Sequence, residues 1–344
     1  MIDRRAFLGA SASALFAGVG RADDPPKRGS LGCVIHSFPI RSRTEKGLGD
    51  PLKFLEFCRE RGADGIQLPL GKSVDSSRNL RTLAERHGMY VEGSVRAPKD
   101  KADLERYEAE IVAAKEAGAS VVRTVMLGGR RYETFRTAKE YAAFADGSLA
   151  SLRLAEPVMA RHKVTLAVEN HKDFRTDELI DQLKAVASEF IRVCVDTGNS
   201  IALLERPSET AAALAPWAAA CHLKDMGVEE SSDGFLLSEV PLGDGFLNLA
   251  GIVAALKKAR PAIRFSLEMI TRDPLRIPCL SDDYWATFEK VPGRDLARAL
   301  AMVKTHAAKE PLPRISKLKP EDQLAVEEKN VRRSLEYARA KLGF

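Results

Sequence analysis

Eight short apolar runs punctuate the chain, at residues 31–35, 65–68, 90–95, 121–127, 164–168, 191–195, 218–223 and 265–270. Each has strand length, and each is nearly continuous rather than alternating, the pattern of strands covered on both faces. Between them lie segments whose apolar residues recur at helical spacing, among them 51–61, 80–87, 104–117, 141–161, 178–187 and 247–259. Gly62, Gly88 and Gly118 supply helix stops. Strands alternating with helices predict a parallel sheet. Eight such units across residues 30–308 predict an α/β fold, a (β/α)8 TIM barrel. An open doubly wound sheet would carry a glycine fingerprint after its first strand, where this chain reads Ile35-His36-Ser37-Phe38-Pro39.

Two stretches break the repeat. Residues 271–293 form a long irregular segment after the eighth strand, with Asp282, Asp283, Tyr284 and Trp285; such a loop at a barrel's C-terminal face is more often functional than idle. Residues 309–344 open with Pro311 and Pro313 and continue as a charged helix, a C-terminal helical extension. The expected arrangement is a solvated face, with packing on the barrel or on a second copy of the chain, as a homo-oligomer, left as alternatives. At the other end, Arg4-Arg5 precedes an apolar Ala/Gly-rich run at 7–19 and the small residues Gly20 and Ala22. Residues 1–22 therefore read as a twin-arginine export signal and 23–29 as a linker, giving a periplasmic or otherwise exported protein. The apolar run is too short to span a bilayer, so no stable membrane insertion is expected once the signal is removed.

Composition changes this picture little. With 45% hydrophobic and 29% charged residues the chain is an ordinary globular one. Of the net charge of +5, the first 22 residues hold +2, and no basic stripe with interleaved aromatics marks a nucleic-acid partner. Cysteines 33, 58, 194, 221 and 279 form no CxxC pair, and read as buried free thiols.

Chemistry gathers at the strand ends, where active sites of such barrels lie. Strands five to eight finish in Glu169, Asp196, His222 and Glu268. A lone charge closing an apolar run is costly to bury, and a shared cation relieves that cost. Two residues earlier, on the same strand faces, stand the small Ala167, Cys194, Ala220 and Ser266; the opposite faces carry Val168, Val195, Cys221 and Leu267. The ligands should thus point into the barrel mouth above a layer of small side chains. Three carboxylates and an imidazole suit one divalent metal ion, Mn²⁺ first, with Mg²⁺, Co²⁺ or Zn²⁺ as alternatives. His171 shares the face of Glu169. Lys224 shares that of His222, where it would meet a substrate oxygen or pair with Asp225 or a neighbour. Asn199 and His36 also end strands, and His36, His171, Asn199 and Lys224 are the candidate substrate contacts. His87, His162 and His306 lie on helices and read as structural. Gly243-Asp-Gly245 reads as a tight turn before a helix.

Glu169-Asn170-His171, Asp196-Thr-Gly-Asn199, His222-Leu-Lys224-Asp225, Gly243-Asp-Gly245 and Glu268 together resemble the sugar phosphate isomerase/epimerase family, the xylose-isomerase-like TIM barrels, over residues 31–308. The resemblance implies metal binding by Glu169, Asp196, His222 and Glu268, and an acid/base role for Glu169 and Glu268. The family's ketose 3-epimerases often carry a histidine at the position of Asn199 and an arginine at that of Val228. The expected function is metal-dependent isomerisation or epimerisation of a small carbohydrate, by proton abstraction next to a carbonyl. Its alternatives are a lyase eliminating a β-leaving group from a keto sugar or 3-keto glycoside, and a non-catalytic sugar-binding barrel. An endonuclease of abasic DNA would need a larger histidine and acid set.

Overall fold

The computed structural model describes residues 30–288 and 290–344; the signal and linker readings lie outside them. The eight expected strands are present as β1 (Leu31–Val34), β2 (Gly65–Leu68), β3 (Tyr90–Ser94), β4 (Val121–Thr124), β5 (Thr165–Glu169), β6 (Ile191–Asp196), β7 (Ala218–Leu223) and, after the two strands of an inserted hairpin, β10 (Arg264–Leu267). All pair in parallel and close into a barrel in the order β1-β10-β7-β6-β5-β4-β3-β2. Outward residues Val168, Val195, Cys221 and Leu267 join one large core with the surrounding helices. Inward, Ala167, Cys194 and Ala220 pack together as the anticipated layer of small side chains. All five cysteines are free and buried. Helix Val74–His87 ends on Gly88 at φ 64°, a left-handed conformation that glycine adopts without a Cβ clash.

Beyond the expected elements is a three-stranded antiparallel sheet. The strands β8 (Asp225–Ser231) and β9 (Gly234–Val240) form a hairpin leaving the end of β7, and β11 (Leu275–Ile277) comes from the irregular segment after β10. Met226, Val228, Phe235, Leu237, Ile277 and Tyr284 build a second apolar core with helix Gly293–His306. Much of the 271–293 segment is thus a packed cap. Tyr284 donates to the Ala202 carbonyl at 2.8 Å, and Trp285 Nε1 to that of Cys279 at 2.9 Å.

Helix Pro320–Lys341 is not simply solvated. Its buried face of Glu327, Val331, Ser334, Leu335 and Ala338 belongs to the barrel side of the molecule, next to β10 and helix Pro39–Thr44. Val331, Leu335 and Ala338 lie in the main core with Leu342 and Phe344. Residues beyond the expected domain limit at 308 therefore complete the helical ring beside β10, while Gly293–His306 serves the cap. The helix keeps its charges outward and buries one carboxylate, Glu327, which accepts the amides of Ile40 at 2.7 Å and Arg41 at 3.0 Å.

Candidate metal centre

The parallel register sets the ends of β5, β6, β7 and β10 side by side: Glu169 pairs with Cys194, Asp196 with His222, and Ser266 with His222. Three side chains then sew neighbouring strand ends together, each donating to one backbone carbonyl and accepting from one backbone amide. Asn170 does so with Asp196 (3.0 and 2.7 Å), Thr197 with Lys224 (2.8 and 2.9 Å), and Ser37 with Leu267 and Met269 (2.8 and 3.0 Å). These fasteners fix the ligand backbones before any ion is considered.

One ligand atom from each of Glu169, Asp196, His222 and Glu268 falls within 4.8 Å of the others, and none of the four residues is more than 3% exposed. Asp196 Oδ1 is fixed by the amides of Gly198 (2.9 Å) and Asn199 (2.8 Å). Its Oδ2 makes no aligned hydrogen bond, although Lys224 Nζ lies 2.8 Å away. His222 Nε2 faces Gln67 Oε1 at 2.7 Å, and Gln67 in turn donates to Glu92 Oε2 at 3.0 Å. His222 Nδ1, buried and without a hydrogen-bond partner, stands 3.2 Å from Glu169 Oε2 and 3.5 Å from Glu268 Oε1. Two buried polar atoms without aligned partners, converging with two carboxylate oxygens, fit a divalent cation.

Cations surround the set. Arg123 donates to Glu169 Oε2 at 2.6 Å, and Asn199 Nδ2 to Oε1 at 2.9 Å. Lys224 Nζ lies 2.7 Å from Glu268 Oε2 and 3.9 Å from Glu239, which Arg272 clasps with two hydrogen bonds. Burial pushes the carboxyls of Glu169 and Glu268 up, but Arg123 with His222, and Lys224 with His222, hold them well below the usual carboxylate range. For Asp196 burial outweighs Lys224, and its carboxyl is pushed up to about 6. Burial pushes the His222 imidazole down, while Cys194, Glu268 and Glu169 raise it well above its usual value. An ion bound here would have to displace a proton from this imidazole.

The four candidate substrate contacts come to this mouth in different ways. Half-exposed His36 has Nδ1 3.2 Å from Glu268 Oε1. His171 Nδ1 is buried without a partner, and burial and the nearby Lys172 push its ring down to about 3, so it is neutral. Asn199 and Lys224 lie against the ligands themselves, and Asp225 is not the partner of Lys224. The Asp225 carboxylate accepts the amides of Met226, Gly243, Gly245 and Leu247, holding the Gly243-Asp-Gly245 turn before helix Leu249–Ala259. A Cβ on Gly245 would fall 2.2 Å from Asp225 Oδ1. Sequence reasoning missed Gln67, Glu92, Arg123, Lys172 and Glu239, although each of the first three is a polar residue inside an otherwise apolar strand. Beside Arg123 a cavity of about 350 Å³ opens at the ends of β2–β4, lined by Gly71, Ser94, Arg96 and Val125 among others. His87 pairs with Glu56, His162 with Glu108, and His306 stacks on Phe246, as structural histidines do.

Residues 55–305 match the family model described as xylose isomerase-like TIM barrel. Over 197 residues the chain is 27% identical to 3-oxo-isoapionate decarboxylase of Pectobacterium atrosepticum, covering 56% of this chain and 58% of that protein, so it spans little more than half the length of this curated relative. The crystal structure of D-psicose 3-epimerase in the presence of D-fructose superposes with a TM-score of 0.60 at 13% identity, over 92% of this chain and 100% of that one. A xylose isomerase-like TIM barrel protein from Mycobacterium smegmatis, in complex with magnesium, gives a TM-score of 0.53 at 18% identity over 79% and 97% of the two chains. At these identities the two structural likenesses are likenesses of fold.

Proposed function

We propose, from the premise that the chain belongs to the xylose isomerase-like TIM barrel family, that it is a divalent-metal-dependent enzyme abstracting a proton next to a sugar carbonyl, as an isomerase or epimerase. The buried convergence of Glu169, Asp196, His222 and Glu268 carries this reading. A divalent ion there would supply Lewis acidity, acidifying the carbon-bound proton beside a coordinated carbonyl. The protein supplies two ionised carboxylates, Glu169 and Glu268, three strand steps apart around the ring. That separation suits removal of a proton from one face and return to another. Arg123 and Asn199 orient Glu169, and Lys224 orients Glu268. A proton taken by Glu268 Oε1 has His36 Nδ1 beside it as a route to solvent. His171, neutral and lacking a partner at Nδ1, is the substrate contact we assign next to Glu169. The twin-arginine reading of residues 1–22 puts this activity outside the cytoplasm.

A second reading is a lyase using the same enolate. Val228, at the place where ketose epimerases often carry arginine, is fully buried in the cap core, and the curated relative is named as a decarboxylase. Metal-loaded protein incubated in D₂O with ketoses and 3-keto glycosides should place deuterium on the carbon beside the carbonyl. An isomeric product supports the epimerase, and an eliminated group the lyase. Glu169→Gln and Glu268→Gln should each keep metal and lose at least about 10²–10⁴-fold in turnover. Near-normal turnover in both variants, or binding of sugar without any exchange by metal-replete protein, overturns the enzyme reading.

A further inference from the structure

Four buried carboxylates stand at the level of the cluster, and three cations already face them. Arg123 pairs with Glu169, Lys224 with both Asp196 and Glu268, and Arg272 with Glu239. A fourth cation, Lys172, is only 3% exposed. Among the described residues its ammonium forms no salt bridge, and its hydrogen-bond acceptor is the neutral amide oxygen of Asn199. The next residue, Asp173, turns its carboxyl away onto the amides of Leu127 and Phe174. A buried ammonium without an anion is expensive.

Lys172 is one side chain from the chemistry. The Asn199 that receives it donates Nδ2 to Glu169 Oε1 at 2.9 Å, and its Oδ1 lies 3.5 Å from Lys224 Nζ. With His222 deprotonated, as a metal ligand must be, the four carboxylates and four cations cancel. A divalent ion then leaves this water-poor site with an excess of two positive charges. A neutral sugar would compensate neither that excess nor Lys172, whereas an acid could address both.

We propose that the substrate is an anion, a sugar acid whose carboxylate pairs with Lys172 while its carbonyl end meets the cluster; this rests on the metal-enzyme reading above. A matched pair of probes tests it: 2-keto-D-gluconate and D-fructose, both C2-keto compounds, differ in a carboxylate or a hydroxymethyl at C1. Titration calorimetry on the Mn²⁺-loaded protein should find the acid bound roughly tenfold tighter or more. Lys172→Met should abolish that preference, and Lys172→Arg should retain most of it. Lys172→Gln serves as a second neutral variant should the methionine protein not fold. Elemental analysis of the same samples separates the two levels of inference. Metal-replete protein that binds fructose as well as the acid, or a folded neutral variant that keeps the preference, overturns the sugar acid and leaves the metal enzyme standing. Protein that takes up no metal and binds neither probe overturns both.

Discussion

His222 owes its orientation to a residue three strand steps away around the barrel. Its Nε2 is held 2.7 Å from Gln67 on β2, and Glu92 on β3 fixes the Gln67 amide, so that Nδ1 is the nitrogen aimed at the cluster. Gln67→Leu keeps the volume but removes the acceptor. Metal affinity should fall about 10–100-fold in equilibrium dialysis, with the fold intact by circular dichroism; unchanged affinity would show that packing alone orients the ring. Asp196→Ala and His222→Ala should lose the ion altogether, by elemental analysis. The four candidate ligands were legible in the sequence as strand-end groups because each closes an apolar run and has a small residue two places before it. Gln67, Glu92 and Arg123 were not, because a polar residue inside a run says nothing about which other strand it will meet across the lumen. Lys172 was hidden by its position in a turn, where a lysine ordinarily reads as solvated.

At the scale of elements, the eight strands were readable because a parallel barrel buries both faces of every strand and leaves continuous apolar runs. The β8–β9 hairpin escaped that reading, since only its inner face is apolar. Yet Asp233-Gly234 between alternating Met226, Val228 and Phe235, Leu237 is a hairpin signal. The helix Pro320–Lys341 hid its buried stripe behind Glu327 and Ser334, polar residues satisfied by partners that the local sequence does not reveal: Glu327 accepts two amides, and Ser334 accepts that of Leu242. Since Val331, Leu335 and Ala338 lie in the main core, deleting residues 320–344 should leave a chain without a cooperative thermal transition. A truncated protein that melts within a few degrees of the full chain would show the helix to be dispensable. Glu327→Ala should be milder, costing about 1–3 kcal/mol in urea unfolding, as two buried amides lose their acceptor.

At the scale of the molecule, buried acids couple stability to pH. Burial pushes Glu92 up to about 7, from an ordinary value near ~4.3. A raised folded-state value means that its contribution is complete below the unfolded pKa and is lost as pH rises through about 7. His171, pushed down to about 3, acts in the opposite sense below its ordinary value, so the wild type must be compared with Glu92→Gln. In chelator, the wild-type advantage over the variant should shrink by on the order of 3 kcal/mol between pH ~4 and ~8. An advantage that stays constant or grows would assign Glu92 the wrong charge. For the export reading, changing Arg4 and Arg5 together to Lys should hold the precursor in the cytoplasm, by fractionation; unchanged export would reject a twin-arginine signal. The closure of the ring also has a consequence for biosynthesis. Strand β1 pairs with β10, and β10 is flanked by a helix that ends at Lys341. At roughly 5–20 residues per second, the ribosome needs on the order of 15–60 s to pass from the first strand to the last turn of that helix. Throughout that interval the nascent chain carries an unpaired strand edge or an uncovered apolar flank, so chaperones should hold it through nearly the whole of translation, and prematurely terminated products should be preferred substrates for proteolysis.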